Sequence, residues 1–421
     1  MGFAQGVSAL NASAANLDVI GNNIANAGTI GFKSGGVQFA DVYAGSKIGL
    51  GTQVASVAQN FTAGSVQTSS RALDVAISDG DGFFRLASPE GEIAYSRNGQ
   101  FDMDKNGYIV NTAGLQLTGY AVGANGNLAG GTPAPLQMPT AAMAPKATGS
   151  VTGITAQFNL DSRSTAPAAA FDATDSSTYN YANSVTIYDS LGNPHELATF
   201  FAKQAAPALN TWNVHATVDG KPLDNGGVLP AVANGTAIGT LTFDSNGILD
   251  TAVVGNGVLG FKTPGFTLGN GSAPMTFDMN VAGTTQFGNA NDVRKLTQDG
   301  YASGTLTSLA IEQDGTITGK YSNEQSNTLG QIVLSSFVNP NGLQSKGDNV
   351  WAETAASGQP LTGTPGAGTK LGALVSGALE GSNVDLTSEL VNLIIAQRTY
   401  QANAQTVKTQ DQVMQTLMNM R

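Results

Sequence analysis

The sequence predicts a mainly β protein with discontinuous, nested domains: two antiparallel β domains plus paired N- and C-terminal α-helices forming a coiled-coil-like core. Three observations carry this. Apolar or small residues recur with heptad spacing at both ends of the chain. Between the ends the period falls to two, punctuated by hairpin turn signals. Loose stretches rich in Pro, Ala, Gly and Thr then divide the middle.

At the N-terminal end, Phe3, Val7, Leu10, Ala14, Leu17, Gly21, Ile24 and Gly28 keep a four-three spacing. Asn11, Asn16, Asn22, Asn23 and Asn26 lie in the same segment and compete for backbone hydrogen bonds, so this helix is weak by itself. It is expected to fray in the monomer and to become ordered in an assembly. Asn26 and Gly28 offer a left-handed stop before Thr29, Gly31 and Phe32.

At the other end, Leu386, Leu390, Leu393, Gln397, Tyr400, Ala404, Val407, Asp411, Met414 and Met418 repeat the spacing. About 33 helical residues make a rod near 50 Å long, which cannot bury such a stripe alone. Gly21, Gln397 and Asp411 sit on the seams, where small or polar residues set register and partner. Asp385 before Leu386, or Asn383 two residues earlier, can cap the helix, with Thr387 and Glu389 in its first turn.

In the middle, Trp212, Val214, Ala216 and Val218 alternate with Asn213, His215 and Thr217, and Val185 and Ile187 with Thr186 and Tyr188. These are half-buried strands. Asp104-Lys105-Asn106-Gly107, Asp244-Ser245-Asn246-Gly247 and Asp314-Gly315, each beside Phe, Ile or Val, read as hairpin turns. Residues 124 to 180 hold five prolines in a boundary stretch, and residues 355 to 370 are loose again. The expected organisation is a terminal helical domain (1–70 and 377–421), an inner β domain (71–145 and 290–376) and an inserted outer β domain (146–289).

Composition narrows function. Only 12% of the 421 residues are charged, against roughly a quarter in an average domain, so the polar surface is Ser, Thr, Asn, Gln and backbone. A net charge of −11 argues against nucleic acid. The absence of Cys excludes disulfides, thiolate metal sites and a Cys nucleophile. The N-terminus lacks the basic region and apolar run of a signal peptide, and no stretch approaches a membrane span. Gly6 stands where myristoylation requires Ser or Thr.

Catalytic and binding motifs fail one by one. Asp102 to Gly107 copies half a calcium loop, but Ala113 stands in place of the bidentate Glu. Gly255, Gly257 and Gly260 match a dinucleotide spacing, yet Phe261 to Pro264 cannot open the helix it needs. Gly315 to Lys320 is one residue short of a phosphate loop, and Thr199 replaces the second His of a zinc-protease pattern begun by His195-Glu196. His195 and His215 both read as solvated surface residues. No catalytic residue, metal or cofactor site is expected, although a carboxylate pair assembled by folding stays open.

The two ends resemble the bacterial flagellar rod and hook axial protein family. The resemblance lies in Ala15-Asn16-Leu17-Asp18-Val19-Ile20-Gly21-Asn22-Asn23-Ile24-Ala25-Asn26 with Thr29, Gly31, Phe32 and Lys33. It continues in Leu379-Glu380-Gly381-Ser382-Asn383-Val384-Asp385-Leu386 and in the run Ala396 to Gln405. Gly82 to Leu86 and Tyr95 to Phe101 fit the family's first β region. Length, with the segments 321–325, 329–332 and 347–351, is similar to the hook type and not to the shorter rod type. Residues 146 to 289 match only loosely. Some hook members are cross-linked through a Cys, which this chain lacks.

The resemblance implies a non-enzymatic structural subunit that polymerises into a short curved flexible tube, a universal joint transmitting torque from rod to filament and enclosing the export channel. It implies export without a cleavable signal to the flagellar hook outside the cell. It also implies contacts with further copies of itself in a helical homopolymer, with the distal rod protein, hook cap protein, hook-filament junction protein and hook-length control protein, and with the flagellar type III export apparatus. No nucleic acid or membrane insertion is expected. Assembly is expected to rest on Leu10, Leu17, Asn22, Asn23, Ile24, Asn26 and Phe32, and on Asn383, Asp385, Leu386, Leu390, Leu393, Gln397, Arg398, Tyr400, Asn403, Val407 and Met414. A secreted β-rich adhesin, a distal-rod-type axial protein and a secreted wall hydrolase with a carboxylate cleft in 146–289 are the alternatives.

Overall fold

The computed structural model describes residues 3–419 except 43–50, 124–125, 150–151, 209, 224–235, 251–252, 254–255, 257 and 267. Gly255 and Gly257 therefore lie outside the described residues, and after them Val258–Phe266 runs as a strand, not as the helix a dinucleotide fingerprint needs. A helix stands at each end, α1 over Phe3–Ala25 and α2 over Leu386–Asn419, and almost everything between them is strand and turn. Among the described residues the strands pair antiparallel, apart from a short parallel contact between Ile154–Asn159 and Met275–Asn280 and an isolated parallel bridge between Asn159 and Thr285.

The chain forms two compact units. The first comprises Met1–Thr140, Leu306–Lys320 and Ser326–Arg421, the second Ala141–Thr305 and Tyr321–Gln325. In the first, α1 is followed by a hairpin of β1 (Gly35–Asp41) and β2 (Thr52–Gln59), which has a bulge between Gln38 and Phe39. A large sheet follows, with Phe83–Ala87 between Ile93–Ser96 and Gln116–Ala121. Val75, Phe84, Leu86, Leu117, Ile332 and Leu334 form its core. A second cluster sets Phe83, Tyr95, Phe337 and Trp351 against Phe61, with rings 4.8 to 5.9 Å apart in edge-to-face contact.

In the second unit the core draws on two sheets. Ile154, Phe158 and Phe277 come from the sheet ordered Val258–Phe266, Met275–Asn280, Ile154–Asn159, Asp292–Gln298. Ile187, Phe201 and Trp212 come from the sheet built on Tyr181–Tyr188, Pro194–Lys203 and Thr211–Val218. The buried Trp212 indole donates to Gln286 Oε1 at 2.6 Å, so its polar edge is satisfied. Asp292–Gln298 pairs with Ile154–Asn159, which places residues 292–298 with this unit.

The period-two reading of Thr211–Val218 is correct for the inner face, where Trp212, Val214, Ala216 and Val218 are buried, but the other face is not solvated. His215 is buried and stacks on Phe171 with ring centroids 4.1 Å apart. The extended segment before Tyr181 folds back over this face, which no local pattern announces. His195 is not free in solvent either. Its ring bridges Asp219 Oδ2 at 2.7 Å and Asp189 Oδ2 at 3.4 Å.

The turns form as their residues require. The Asp104 carboxylate accepts from the N–H groups of Asn106 and Tyr108, while Gly107 takes a φ of +86°. Asp244 does the same for Asn246 and Ile248, with Gly247 at +77°. Each carboxylate thus braces the backbone of its own turn.

Candidate assembly surface of the paired ends

The ends of the chain meet on each other and on the β core through residues brought together from far apart. Asn23, buried near the end of α1, behaves like a strand neighbour of Gly35. It accepts from the Gly35 N–H at 2.9 Å and donates to the Gly35 carbonyl at 2.8 Å. Asn26 donates to Asn22 Oδ1 at 2.8 Å and accepts from the Thr29 hydroxyl at 3.1 Å. The amides that weaken α1 as an isolated helix thus shape its exit. The left-handed residue is Gly31, at φ +70°, and neither Asn26 nor Gly28. A Cβ on Gly31 would lie 2.7 Å from the Asn98 nitrogen, so close approach to the sheet decides where the stop falls.

At the start of α2 the Asp385 carboxylate accepts from the Thr387 N–H at 2.9 Å and the Ser388 hydroxyl at 2.7 Å. These bonds hold its pKa below the ordinary carboxylate range, led by the Ser388 hydroxyl. Asn383 is not the cap. It accepts from the Ser34 N–H at 2.8 Å and donates to the Asn60 carbonyl at 2.7 Å, tying the approach to α2 to the chain leaving α1.

Beneath this lies a buried charge cluster that the sequence reading did not single out. Lys33 Nζ reaches Glu380 Oε1 at 2.6 Å and the Thr62 carbonyl at 2.6 Å, and the Gly64 N–H donates to the same Oε1 at 2.9 Å. Arg97 donates to Glu380 Oε2 at 3.4 Å and to the Gly80 carbonyl at 2.8 Å, and its guanidinium lies 5.1 Å from the Phe83 ring centre. Burial lowers the pKa of both cations, opposed by Glu380. One carboxylate serves two buried cations, so removing it would strand both. Lys33, Arg97 and Glu380 each fall in a different stretch of the family resemblance. Their convergence was the available signal.

The two helices pack on each other, with the expected seam of α2 kept at Leu393, Ala404 and Val407 and displaced elsewhere. The residues of α2 turned inward are Glu389, Leu393, Ala396, Asn403, Ala404, Thr406, Val407 and Gln410, and on α1 the buried ones are Gly6, Ala12, Ile20 and Asn23. On α2, Leu390, Gln397 and Asp411 of the expected seam are exposed, and the residues one earlier, Glu389, Ala396 and Gln410, are turned inward with Asn403. The displaced row is small or polar. A Cβ on Gly6 would sit 2.7 Å from Val407 Cγ2, and Asn403 lies within 3.4 Å of the Ser13 hydroxyl, so the helices approach through residues without bulk.

Of the expected assembly residues, Asn23 is buried, and Leu10, Leu17, Ile24, Asn26, Phe32, Asn383, Leu393, Asn403 and Val407 are half-buried. Asn22, Asp385, Leu386, Leu390, Gln397, Arg398, Tyr400 and Met414 are exposed. Val391, Ile394, Ile395, Val413 and Met418, which the heptad reading passed over or left outside the set, are exposed as well, as are Phe39, Val54 and Val57 on the β1–β2 hairpin. No helix is long and apolar enough to cross a membrane, and no group of three metal-binding side chains occurs among the described residues.

Two terminal helices packed on each other, with large apolar residues of α2 facing out and a β core beside them, suit a structural protein. Sequence comparison places that class. The family models for the flagella basal body rod protein, the flagellar hook protein FlgE/F/G D1 domain, the flagellar basal body protein FlaE D2 domain and the flagellar basal body rod FlgEFG protein C-terminal region match residues 5–33, 76–154, 159–301 and 375–420. The flagellar hook protein FlgE of Salmonella typhimurium is 48% identical over 427 residues, covering all of both chains. That of Escherichia coli K12 is 47% identical over 425, also in full, and that of Borreliella burgdorferi 32% identical over 451, covering 99% of this chain and 98% of its own. The crystal structure of Helicobacter pylori FlgE2 overlaps 75% of this chain and 99% of its own at 14% identity and a TM-score of 0.48. The chain belongs to the flagellar hook protein family, a family of structural and not enzymatic proteins, and is a component of the flagellar hook outside the cell.

Proposed function

We propose that this chain is the repeating subunit of a helical homopolymer, the short curved tube that joins rod to filament and surrounds the export channel. The observation that carries this is the outward set of apolar side chains on α2, which a neighbouring copy would cover. The expected assembly residues divide accordingly into a half-buried group that pairs α1 with α2 and an exposed group that meets other copies. Residues 1–70 and 377–421 act as the assembling layer, with the inner and outer β domains carried outside it. The subunit acts mechanically and catalyses nothing. Its surface of Ser, Thr, Asn, Gln and Gly suits contacts that must slide as the tube turns, since each exchanged hydrogen bond is worth only about 1 kcal/mol net. Rod, cap, junction and length-control proteins and the type III export apparatus are its further partners.

Deleting residues 386–421 tests this: tubes vanish and a soluble, folded β protein remains. Tubes formed without α2 would overturn the reading. Labelling Ser245→Cys, at an exposed turn in an otherwise Cys-free chain, should give one short spot at each filament base. Labelling along the cell body would favour an adhesin.

A further inference from the structure

Beside the contact of α2 with α1 and β1 lies a groove of about 410 Å³. Val19, Ile20, Val37 and Phe39 give it apolar walls, and Glu389 and Asn392 lie on the α2 side. Glu389 Oε2 is buried with no hydrogen-bond partner among the described residues, although a buried carboxylate oxygen ordinarily has a donor. Phe39, half exposed, stands at the open side.

Nine residues further along α2 is Arg398, exposed and without an ion pair among the described residues. Nine residues at 3.6 per turn is two and a half turns, so Arg398 projects from the side of the helix opposite Glu389, about 13 Å along its axis. The two cannot meet within one chain. Val391 and Ile394, 52% and 51% exposed, precede Arg398 by seven and four residues and share its face. The chain thus carries a groove of mixed polar and apolar lining with an unmatched acid on one side of α2, and an apolar ridge ending in an unmatched base on the other.

Resting on the polymer reading above, we infer that the Val391–Ile394–Arg398 ridge of a second copy docks in this groove, with its guanidinium on Glu389. Donor face and acceptor face differ, so the contact is heterologous. Each copy leaves one groove and one ridge open, and addition continues, as a tube requires. Charge points to the occupant: the groove supplies a carboxylate beside the apolar side chains of Val19, Val37 and Phe39, and this ridge is apolar with a fork of donors at its end.

Charge exchange in the full-length protein tests the contact. Glu389→Arg and Arg398→Glu should each cut the number of hooks per cell at least tenfold, and the double variant should recover to within about threefold of the original. Oxidation of hooks carrying Phe39→Cys with Ile394→Cys supplies a readout that does not depend on the charge variants folding. A ladder of dimers, trimers and higher species on a non-reducing gel is expected, and either single Cys variant should give no ladder. Normal hooks from both single charge variants, or cross-linking that stops at dimers or is absent in intact tubes, would overturn this contact while leaving the polymer reading standing. Failure of the unmodified chain to form tubes would instead remove the polymer reading itself.

Discussion

The β unit of residues 141–305 and the helix α2 handle apolar side chains in opposite ways. In the former, Phe158, Ile187, Phe201, Trp212 and Val214 are wholly buried and the Trp212 indole has its acceptor. In the latter, nine large apolar side chains among the described residues, from Leu386 to Met418, are exposed, while the contact with α1 sets Val407 against Gly6 and Asn403 against Ser13. The first region is finished as a monomer. The second satisfies its backbone alone and leaves its side-chain packing to other copies, which is the division expected of a chain that folds first and assembles afterwards.

The most severe break in this contrast should come from Glu380→Leu. Two buried cations would lose their carboxylate, costing about 3–5 kcal/mol. The melting transition of the first unit should fall while that of residues 141–305 stays in place; one shared shift would show that the cluster does not act within its own unit. Trp212→Ala, leaving a cavity, should cost about 3–5 kcal/mol in the other unit. Met414→Ser should change monomer stability by less than about 0.5 kcal/mol yet shorten or abolish hooks. Equal loss of monomer stability in these two variants, measured by denaturant unfolding, would erase the distinction between finished core and open stripe.

Leu393→Asp sharpens it further, because it puts a charge between α1 and α2. It should impair assembly far more than Asp244→Ala, which removes only the exposed turn hydrogen bonds donated by Asn246 and Ile248. Similar motility of the two mutants would count against the helix pairing.

The smallest effect concerns Asp385. Its folded pKa is depressed, so its cap contributes above the ordinary carboxylate value near 4 and is lost as pH falls through the lower folded value. Protection of the Thr387 and Ser388 amides, taken relative to their intrinsic exchange rates, should therefore fall in acid, and Asp385→Asn should flatten that dependence. Exchange throughout α1 in the monomer should be fast compared with the hook, since its Asn residues make it weak alone.

What was legible from residues alone was local. The turns at Asp104 and Asp244 follow from a carboxylate two and four residues before the N–H groups it accepts from, and the α2 cap follows from Asp385 in the same way. Both helices and the buried face of Thr211–Val218 follow from periods that a repeating backbone imposes. Tertiary structure decided the rest. A heptad stripe gives an apolar band but not which edge of it meets a neighbour, and on α2 the inward edge took in Glu389, Ala396 and Asn403 while Leu390 and Gln397 stayed exposed. His215 became buried because Phe171 returned over its strand. Lys33, Arg97 and Glu380 lie up to 347 residues apart, and their meeting depends on chain closure that no local spacing encodes.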